Sequence, residues 1–273
     1  MKRGLYRTEA VVLNSFDYGE SDRILVFFTL DFGKVKGIAK GARRSRKRFV
    51  GNLDPGCRIT LIFFLSEKSD LVRVEDAALI EGPSGLGADI ERLSQAYYLL
   101  ELTSEMTREG QTIPAAYHLL TAFLRMLPLA RDPGPLLRFF EVKLLSLAGL
   151  LPHLDDCVVC RGPVTGPPGA AGRPLYFSSE LGGVVCAGCG RGNAAGFFRI
   201  SPATAGLLSM AARLEPGKLA RLKADASFAA EGERLMDDFI RRHVGKELKT
   251  KVFLNKLKSA FKISTGKSLT EER

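Results

Sequence analysis

The apolar pattern of this chain changes period once, at Gly82-Pro83-Ser84-Gly85, and that change limits the folds open to it. Before it come five apolar runs, mostly β-branched or aromatic: Leu5–Leu13, Arg23–Leu30, Lys34–Ala39, Arg58–Leu65 and Leu71–Leu79. Turn residues separate them at Tyr18-Gly19, Asp31-Phe32-Gly33, Asn52 to Gly56 and Ser69-Asp70. Strands this short and this closely spaced predict a small closed or nearly closed β-barrel. From Ala88 the period is helical. Ile90, Leu93, Tyr97, Leu100 and Ser104 share one face, and Ala116, Leu119, Leu120, Phe123, Leu124 and Leu127 another. Asp132-Pro133 and Ser201-Pro202 each join a capping side chain to a proline at the first helical position. They predict a helix running from Pro133 to Gly149, and others over roughly 203–213, 228–244 and 249–262. The stretch 152–196 between them reads as a loop-rich insert, with a Gly/Pro/Ala-rich segment at Gly166–Pro174.

That insert holds Cys157-Val-Val-Cys160 and Cys186-Ala-Gly-Cys189, two CxxC pairs separated by 25 residues. Such pairs turn two thiolates towards one point, and two pairs complete a tetrahedral metal site. The reading is one structural Zn2+ held by Cys157, Cys160, Cys186 and Cys189. An iron–sulfur cluster, a redox pair and two unrelated CxxC turns are the alternatives. A closed shell of four thiolates leaves no open coordination position, so the metal would staple the insert and do no chemistry. His153 is close in sequence and reads as a solvated loop residue. Cys57 stands alone in the β-rich part.

Charge is as unevenly placed as hydrophobicity. The net charge of +10 is concentrated in two segments. Lys34–Arg48 holds eight Lys or Arg and no acid, and Arg241–Lys262 holds eight against the single acid Glu247. The first run is expected as a basic hairpin on the barrel, facing a polyanion, most simply nucleic acid. Gly37 and Gly41 would let its backbone approach a phosphate chain, and Phe49 at its end could stack on a base. The candidate contacts are Lys34, Lys36, Lys40, Arg43, Arg44, Arg46, Lys47, Arg48 and Phe49. Phe27, Phe28, Phe63 and Phe64 read as barrel core, and Asp22 as a turn carboxylate partnered by Arg23. The second basic region predicts a helix with Lys251, Asn255, Lys258 and Lys262 on one face and Phe253, Leu254, Leu257 and Phe261 opposite. It is either an ordinary amphipathic helix or a basic-rimmed groove.

Several function classes are set aside. The longest apolar stretch, Leu136–Leu151, contains Arg138, Glu141 and Lys143 and is too short to span a bilayer, so it reads as a core helix. The N-terminus reaches Glu9 before any apolar segment and does not read as a signal peptide, which places the expected location in the cytoplasm. Thr265-Gly266-Lys267-Ser268 resembles the end of a phosphate-binding loop, but Phe261 occupies the position of its first glycine. No arrangement of nucleophile, base and histidine is visible, and the expectation is a protein that is not an enzyme.

Gly19–Ile24, Thr29–Lys34, Ala39–Arg44, Arg48-Phe49, Leu53, Pro55, the two cysteine pairs and Leu248-Lys249 together resemble the bacterial RecO family of DNA repair and recombination proteins. Asp54, Gly56 and Thr250 depart from the usual pattern. The resemblance implies an α+β, multi-domain chain. An N-terminal OB-fold barrel at 1–81 would precede an all-α helical domain at 86–151 and 197–265, with the zinc-binding insert at 152–196. It implies a mediator that binds single- and double-stranded DNA and anneals strands. With RecR, such a protein helps load the RecA recombinase onto strands coated by single-strand-binding protein (SSB). The acidic C-terminal tail of SSB is an implied partner, with Arg241, Arg242, Lys249 and Lys251 as candidates for its rim, and the implied location is cytoplasmic and nucleoid-associated. Two other readings share these features: an RNA-binding or ribosome-associated OB/zinc-ribbon protein, and a nucleic-acid-modifying enzyme with catalytic zinc.

Overall fold

The computed structural model describes residues 2–66, 69, 71–87, 89–164, 174–191, 196–219 and 221–267, with side chains on the last helix as far as Ala260. Residues 166–173 of the Gly/Pro/Ala-rich segment, Asp70, Phe261, Lys262 and Ser268 lie outside these described residues or side chains. The chain forms two compact units, Met1–Pro128 with Glu247–Arg273, and Leu129–Lys246.

The first unit is built on a closed barrel of β1 (Gly4–Tyr18), β2 (Asp22–Thr29), β3 (Gly33–Ala39), β4 (Arg58–Leu65) and β5 (Val72–Glu81), ordered β1-β2-β3-β5-β4. Alternation sets each strand's inner face. Ala10 and Val12, Leu25 and Phe27, Val35, Ile59, Leu61 and Phe63, and Val72 and Val74 meet in one core. A bulge between Val12 and Asn14 lets β1 bend, so one long strand pairs with β4 over Gly4–Val11 and with β2 as far as Tyr18. β3 and β5 close the barrel in parallel, through Gly37↔Val72 and Ile38↔Arg73.

Only the start of the expected basic hairpin lies on one: Lys34 and Lys36 are on β3, which pairs antiparallel with β2. β3 has β2 and β5 as neighbours, so Lys40–Arg48 belongs to a long connection to β4, starting with a short 3-10 turn at Ala42–Arg44. That connection plugs one end of the barrel with Ala42, Phe49, Leu53 and Cys57. Asn52 donates from Nδ2 to the carbonyl of Ala77, and Gly56 N donates to Val12 O at 2.9 Å.

Two helices, α1 (Ile90–Met106) and α2 (Pro114–Met126), follow the barrel within the same unit. The predicted stripe on α1 is displaced. Its buried residues are Ser94, Gln95, Ala96, Tyr98, Leu99, Leu100, Leu102 and Thr103, while Ile90 and Tyr97 are exposed. The helix has β1, α2 and the C-terminal helix as neighbours and is covered on more than one side, which a single apolar stripe does not describe. Glu9 Oε2 on β1 accepts from Arg58 Nη2 at 2.7 Å and from the Tyr117 hydroxyl of α2 at 3.2 Å. Glu81 on β5 takes Arg125 of α2 at 2.7 Å. The boundary near residue 81 therefore separates β from α, while these bonds keep α1 and α2 in the compact unit of the barrel.

Among its described residues the second unit contains α3 (Pro133–Leu147), a three-stranded sheet ordered β7-β6-β8, and four further helices. The strands are β6 (Leu175–Ser178), β7 (Gly183–Val185) and β8 (Phe198–Ile200), with the short turn α4 (Ala187–Gly190) after β7. Then come α5 (Pro202–Arg213), the short α6 (Pro216–Leu219) and α7 (Ala226–Val244). Both predicted caps form: Asp132 accepts from Gly134 N at 3.0 Å and Ser201 from Thr204 N at 3.1 Å. α3 packs against α5 and α7 and is buried almost all round, including Arg138 (3% exposed) and Glu141 (0%), which meet at 2.5 Å. No helix among the described residues is long and apolar enough to cross a membrane.

α8 (Lys249–Lys267) returns to the first unit and packs on α1. Its start is capped from α1: Glu101 accepts from Lys249 N at 3.0 Å and Thr250 N at 2.9 Å, and the Thr250 hydroxyl donates to the same carboxylate. Leu248 and Leu254 are buried, but Phe253, predicted for the packed face, is exposed.

Two stability tests follow from the buried and bridging charges. Glu141→Ala leaves Arg138 in the core of its unit with one counter-charge fewer and should cost about 3–5 kcal/mol. Arg138→Met with Glu141→Leu should recover most of that in urea melts of the full chain. The Arg58 hydrogen bond holds the Glu9 carboxyl below its ordinary value of 4.5, and Arg125 does the same for Glu81. A depressed folded pKa contributes stability above about pH 4.5 that disappears as pH falls through the folded value. Acid titration followed by circular dichroism should show this loss, reduced in Glu9→Gln.

Candidate metal centre and nucleic-acid interface

The insert is more ordered than its composition suggested. β6 and β7 form a tight antiparallel pair, Tyr176↔Val185 to Ser178↔Gly183, and β7 leads directly into Cys186. The first cysteine turn lines up beside β7. His153 N donates to Gly182 O, Val184 N to His153 O and Val158 N to Val184 O, each at 2.9 Å. Gly183 is required here, because a Cβ on it would lie 2.4 Å from the His153 carbonyl oxygen. At the turn itself Arg161 N donates to Cys157 O at 2.8 Å, with Arg161 in the left-handed region at φ 60°.

These bonds bring the four Sγ atoms of Cys157, Cys160, Cys186 and Cys189 within 4.8 Å of one another. Cys160 Sγ and Cys186 Sγ are 3.8 Å apart, far beyond a disulfide and close to the ~3.8 Å edge of a tetrahedron with metal–sulfur bonds of ~2.3 Å. Burial pushes the Cys157 thiol up, but the N–H groups of Cys160, Cys186 and Val159 outweigh it and bring it down to about 6. Hydrogen bonds from Cys186 and Cys160 push Cys189 up to about 12, because four adjacent thiols cannot all ionise on their own. A divalent cation would reverse that and take all four as thiolates. The donor set fits a thiophilic tetrahedral ion and is compatible with zinc. His153 is not in the cluster among the described residues.

The predicted DNA contacts divide sharply. Lys34 Nζ donates to the carbonyl of Ser104 on α1, and Lys36 pairs with Glu109 at 2.5 Å. Arg43 reaches Asp17 at 3.4 Å and the Gly19 carbonyl at 3.2 Å, and Arg44 meets Glu20 at 3.4 Å. Arg48 donates to Lys40 O at 3.0 Å and lies 4.4 Å over the Phe49 ring. Arg46 and Lys47 are exposed with no side-chain partner among the described residues. Phe49 is the correction: at 5% exposure it belongs to the barrel plug and cannot offer its ring to a base. Gly37 is a second one. A Cβ there would stand 3.0–3.2 Å from Val72 and Val74, so this glycine serves barrel closure before any phosphate. Asp22, expected to partner Arg23, instead accepts from Gly41 N at 2.8 Å, and Arg23 pairs with Asp17 and Asp54.

With the barrel, the cysteine cluster and the basic connection in place, comparison with known proteins assigns the chain. Residues 1–83 match the family model Recombination protein O N terminal, and residues 87–251 match Recombination protein O C terminal. The chain belongs to the RecO family. It is 35% identical to the DNA repair protein RecO of Anaeromyxobacter dehalogenans (strain 2CP-C) over 250 residues, covering 90% of this chain and 94% of that one. The DNA repair protein RecO of Syntrophus aciditrophicus is 32% identical over 256 residues, covering 93% and 97%. That of Myxococcus xanthus is 34% identical over 253, covering 91% and 96%. A role in DNA repair and recombination follows from this membership.

The RecO-like segments also have a structural explanation. Gly19–Ile24 and Ala39–Arg44 are joined by the Asp22–Gly41 bond and by Arg43 N donating to Ser21 O at 2.9 Å. In Thr29–Lys34 the Thr29 hydroxyl donates to Gly33 O at 2.8 Å and accepts from Phe32 N at 3.0 Å. These residues shape the turns from which the basic connection departs. Of the four rim candidates for an SSB tail, Arg241 and Arg242 belong to one unit and Lys249 and Lys251 to the other. Lys251 is half-buried, 5.9 Å from the Tyr98 ring.

For the cysteine cluster, elemental analysis of protein purified under reducing conditions should find about one thiophilic metal per chain. Cys189→Ser should lower that content strongly, and proteolysis should then cut within the insert.

Proposed function

We propose that this chain is a non-enzymatic DNA-binding recombination mediator. Its barrel acts as an OB-fold domain over 1–81, its helices over 86–151 and 197–265 form the helical domain, and 152–196 is a zinc-binding insert with one structural Zn2+. The barrel holds a strand by its phosphates and leaves the bases free to pair, so that neutralised strands can approach and anneal. With RecR, the protein helps load the RecA recombinase onto SSB-coated single strands, in the cytoplasm and at the nucleoid. The metal would hold the insert through Cys157, Cys160, Cys186 and Cys189. All four of its positions go to thiolates, which argues against a role in hydrolysis.

The observation that carries this reading is the exposed Lys40–Arg48 connection, where Arg46 and Lys47 have no carboxylate partner among the described residues. Unpaired cations on an ordered barrel rim bind phosphate without first giving up a salt bridge. Each phosphate contact releases counterions, so affinity falls with salt and depends little on sequence. The ion pairs of Arg43 and Arg44 with Asp17 and Glu20 are long and exposed, and a phosphate displaces such carboxylates at small cost.

Alanine at Lys40, Arg44, Arg46 and Lys47 should flatten the slope of log K against log salt for single-stranded DNA by about 0.7 per lost contact. Strand annealing should fall in parallel. An unchanged slope would remove this connection from the DNA site, and stronger binding to matched RNA than to DNA would favour the RNA-binding reading. Capture of an SSB-tail peptide by the full chain tests the partner assignment.

A further inference from the structure

The outer face of the barrel carries a feature that charge alone does not disclose. The strand register links six outward positions from neighbour to neighbour: Phe16↔Ile24, Ile24↔Ile38, Ile38↔Arg73, Arg73↔Phe64 and Phe64↔Leu5. This row starts on β1 and returns to β1 eleven residues earlier, so it climbs the barrel as a spiral band. Phe16 is 53% exposed, and Tyr18, on the same face of β1, is 55% exposed. Phe64, expected in the core, is only half-buried and sits between two guanidinium groups, Arg3 at 6.0 Å and Arg73 at 5.6 Å from its ring. Along β3, Lys36 lies on the face of Ile38, since side chains alternate along a strand, and the exposed Lys40 follows directly after the strand's end.

We infer that this band is a stacking track for the unpaired bases of a single-stranded nucleic acid, with Phe16 and Tyr18 as its aromatic platform and Lys36, Lys40 and Arg73 as its phosphate contacts. The inference rests on the DNA-binding reading above and adds that the few bases over Phe16 and Tyr18 are held on the rings, while those held only through their phosphates stay free to pair. Charge complementarity selects the occupant. Two exposed rings lie at one end of the row on β1 and cations lie farther along it on β3 and β5, which suits a chain that carries both flat bases and phosphates. The acids near the band are already engaged: Glu75 pairs with Arg73, Glu109 with Lys36, and Asp22 accepts from Gly41 N. An acidic apolar peptide would meet the same cations, but it offers at most isolated aromatic side chains, where a single strand offers a flat base at every phosphate. A duplex keeps its bases stacked internally, so it could use the cations and not the rings.

The test uses the full-length chain with an oligothymidylate and a matched duplex, by fluorescence anisotropy at several salt concentrations. Phe16→Ala with Tyr18→Ala should weaken single-strand binding about 5- to 100-fold, the loss expected of a base-stacking contact. The salt slope and duplex affinity should stay unchanged. Phe16→Tyr with Tyr18→Phe keeps both rings and should restore binding, which separates stacking from a folding defect. Wild-type single-strand affinity in the alanine variant overturns the track and leaves the DNA-binding reading standing. Equal losses for single strand and duplex also overturn it, as does a loss confined to an acidic apolar peptide. Wild-type protein with no affinity for either DNA overturns both.

Discussion

Closure of the barrel at β3 and β5 is the constraint on which the rest of the first unit depends. It is a short parallel contact, Gly37↔Val72 and Ile38↔Arg73, and it places a glycine where Val72 and Val74 leave little room for a side chain. Once β3 is joined to β5, it cannot turn back onto β4, and the residues between them must travel across the open end. That journey turns a run of cations into an exposed connection, because three of its apolar members, Ala42, Phe49 and Leu53, go inward to fill the end of the core, while Val50 stays exposed. The basic members are left outside by elimination, while Asn52 goes in with the plug and bonds the Ala77 carbonyl. The same closure brings Ile38 beside Arg73 and so continues the outer band from β2 to β5.

The second unit is held by two very different devices. Around α3 the core is ordinary apolar packing with a buried Arg138–Glu141 pair in its middle, an arrangement that penalises loss of either charge more than loss of both. The cysteine insert has few large apolar residues, and its strands are three or four residues long. Backbone bonds between the first cysteine turn and β7 assemble the four sulfurs, and a metal there would link both turns covalently. Such a staple stabilises a small motif whose buried surface alone would be marginal.

Much of the fold was legible in the sequence. Alternating β-branched and aromatic residues located all five barrel strands to within a few residues, save that β1 runs on to Tyr18 through a bulge no pattern announced. Capping pairs located the starts of α3 and α5, since those signals are local. The failures share a cause. The face of α1 was misplaced because three neighbours cover it, the insert's sheet was missed because three-residue strands carry no period, and Phe49 was assigned to a base because its neighbours in sequence are cations. Phe16 carries no local signal of its exposure and Tyr18 reads only as a turn residue, because an exposed aromatic looks the same in sequence as a buried one.

By itself the sequence determined the division into β and α parts, the caps, the thiolate set and the sign and place of the charge, because each depends on residues within one or two turns of each other. Only the tertiary structure decided which strands adjoin, which cations already hold a carboxylate and which aromatics face water. Those depend on residues far apart in the chain, such as Asp22 with Gly41, Lys36 with Glu109 and Gly37 with Val72. Register fixes a side chain's face, and register is a property of two strands together.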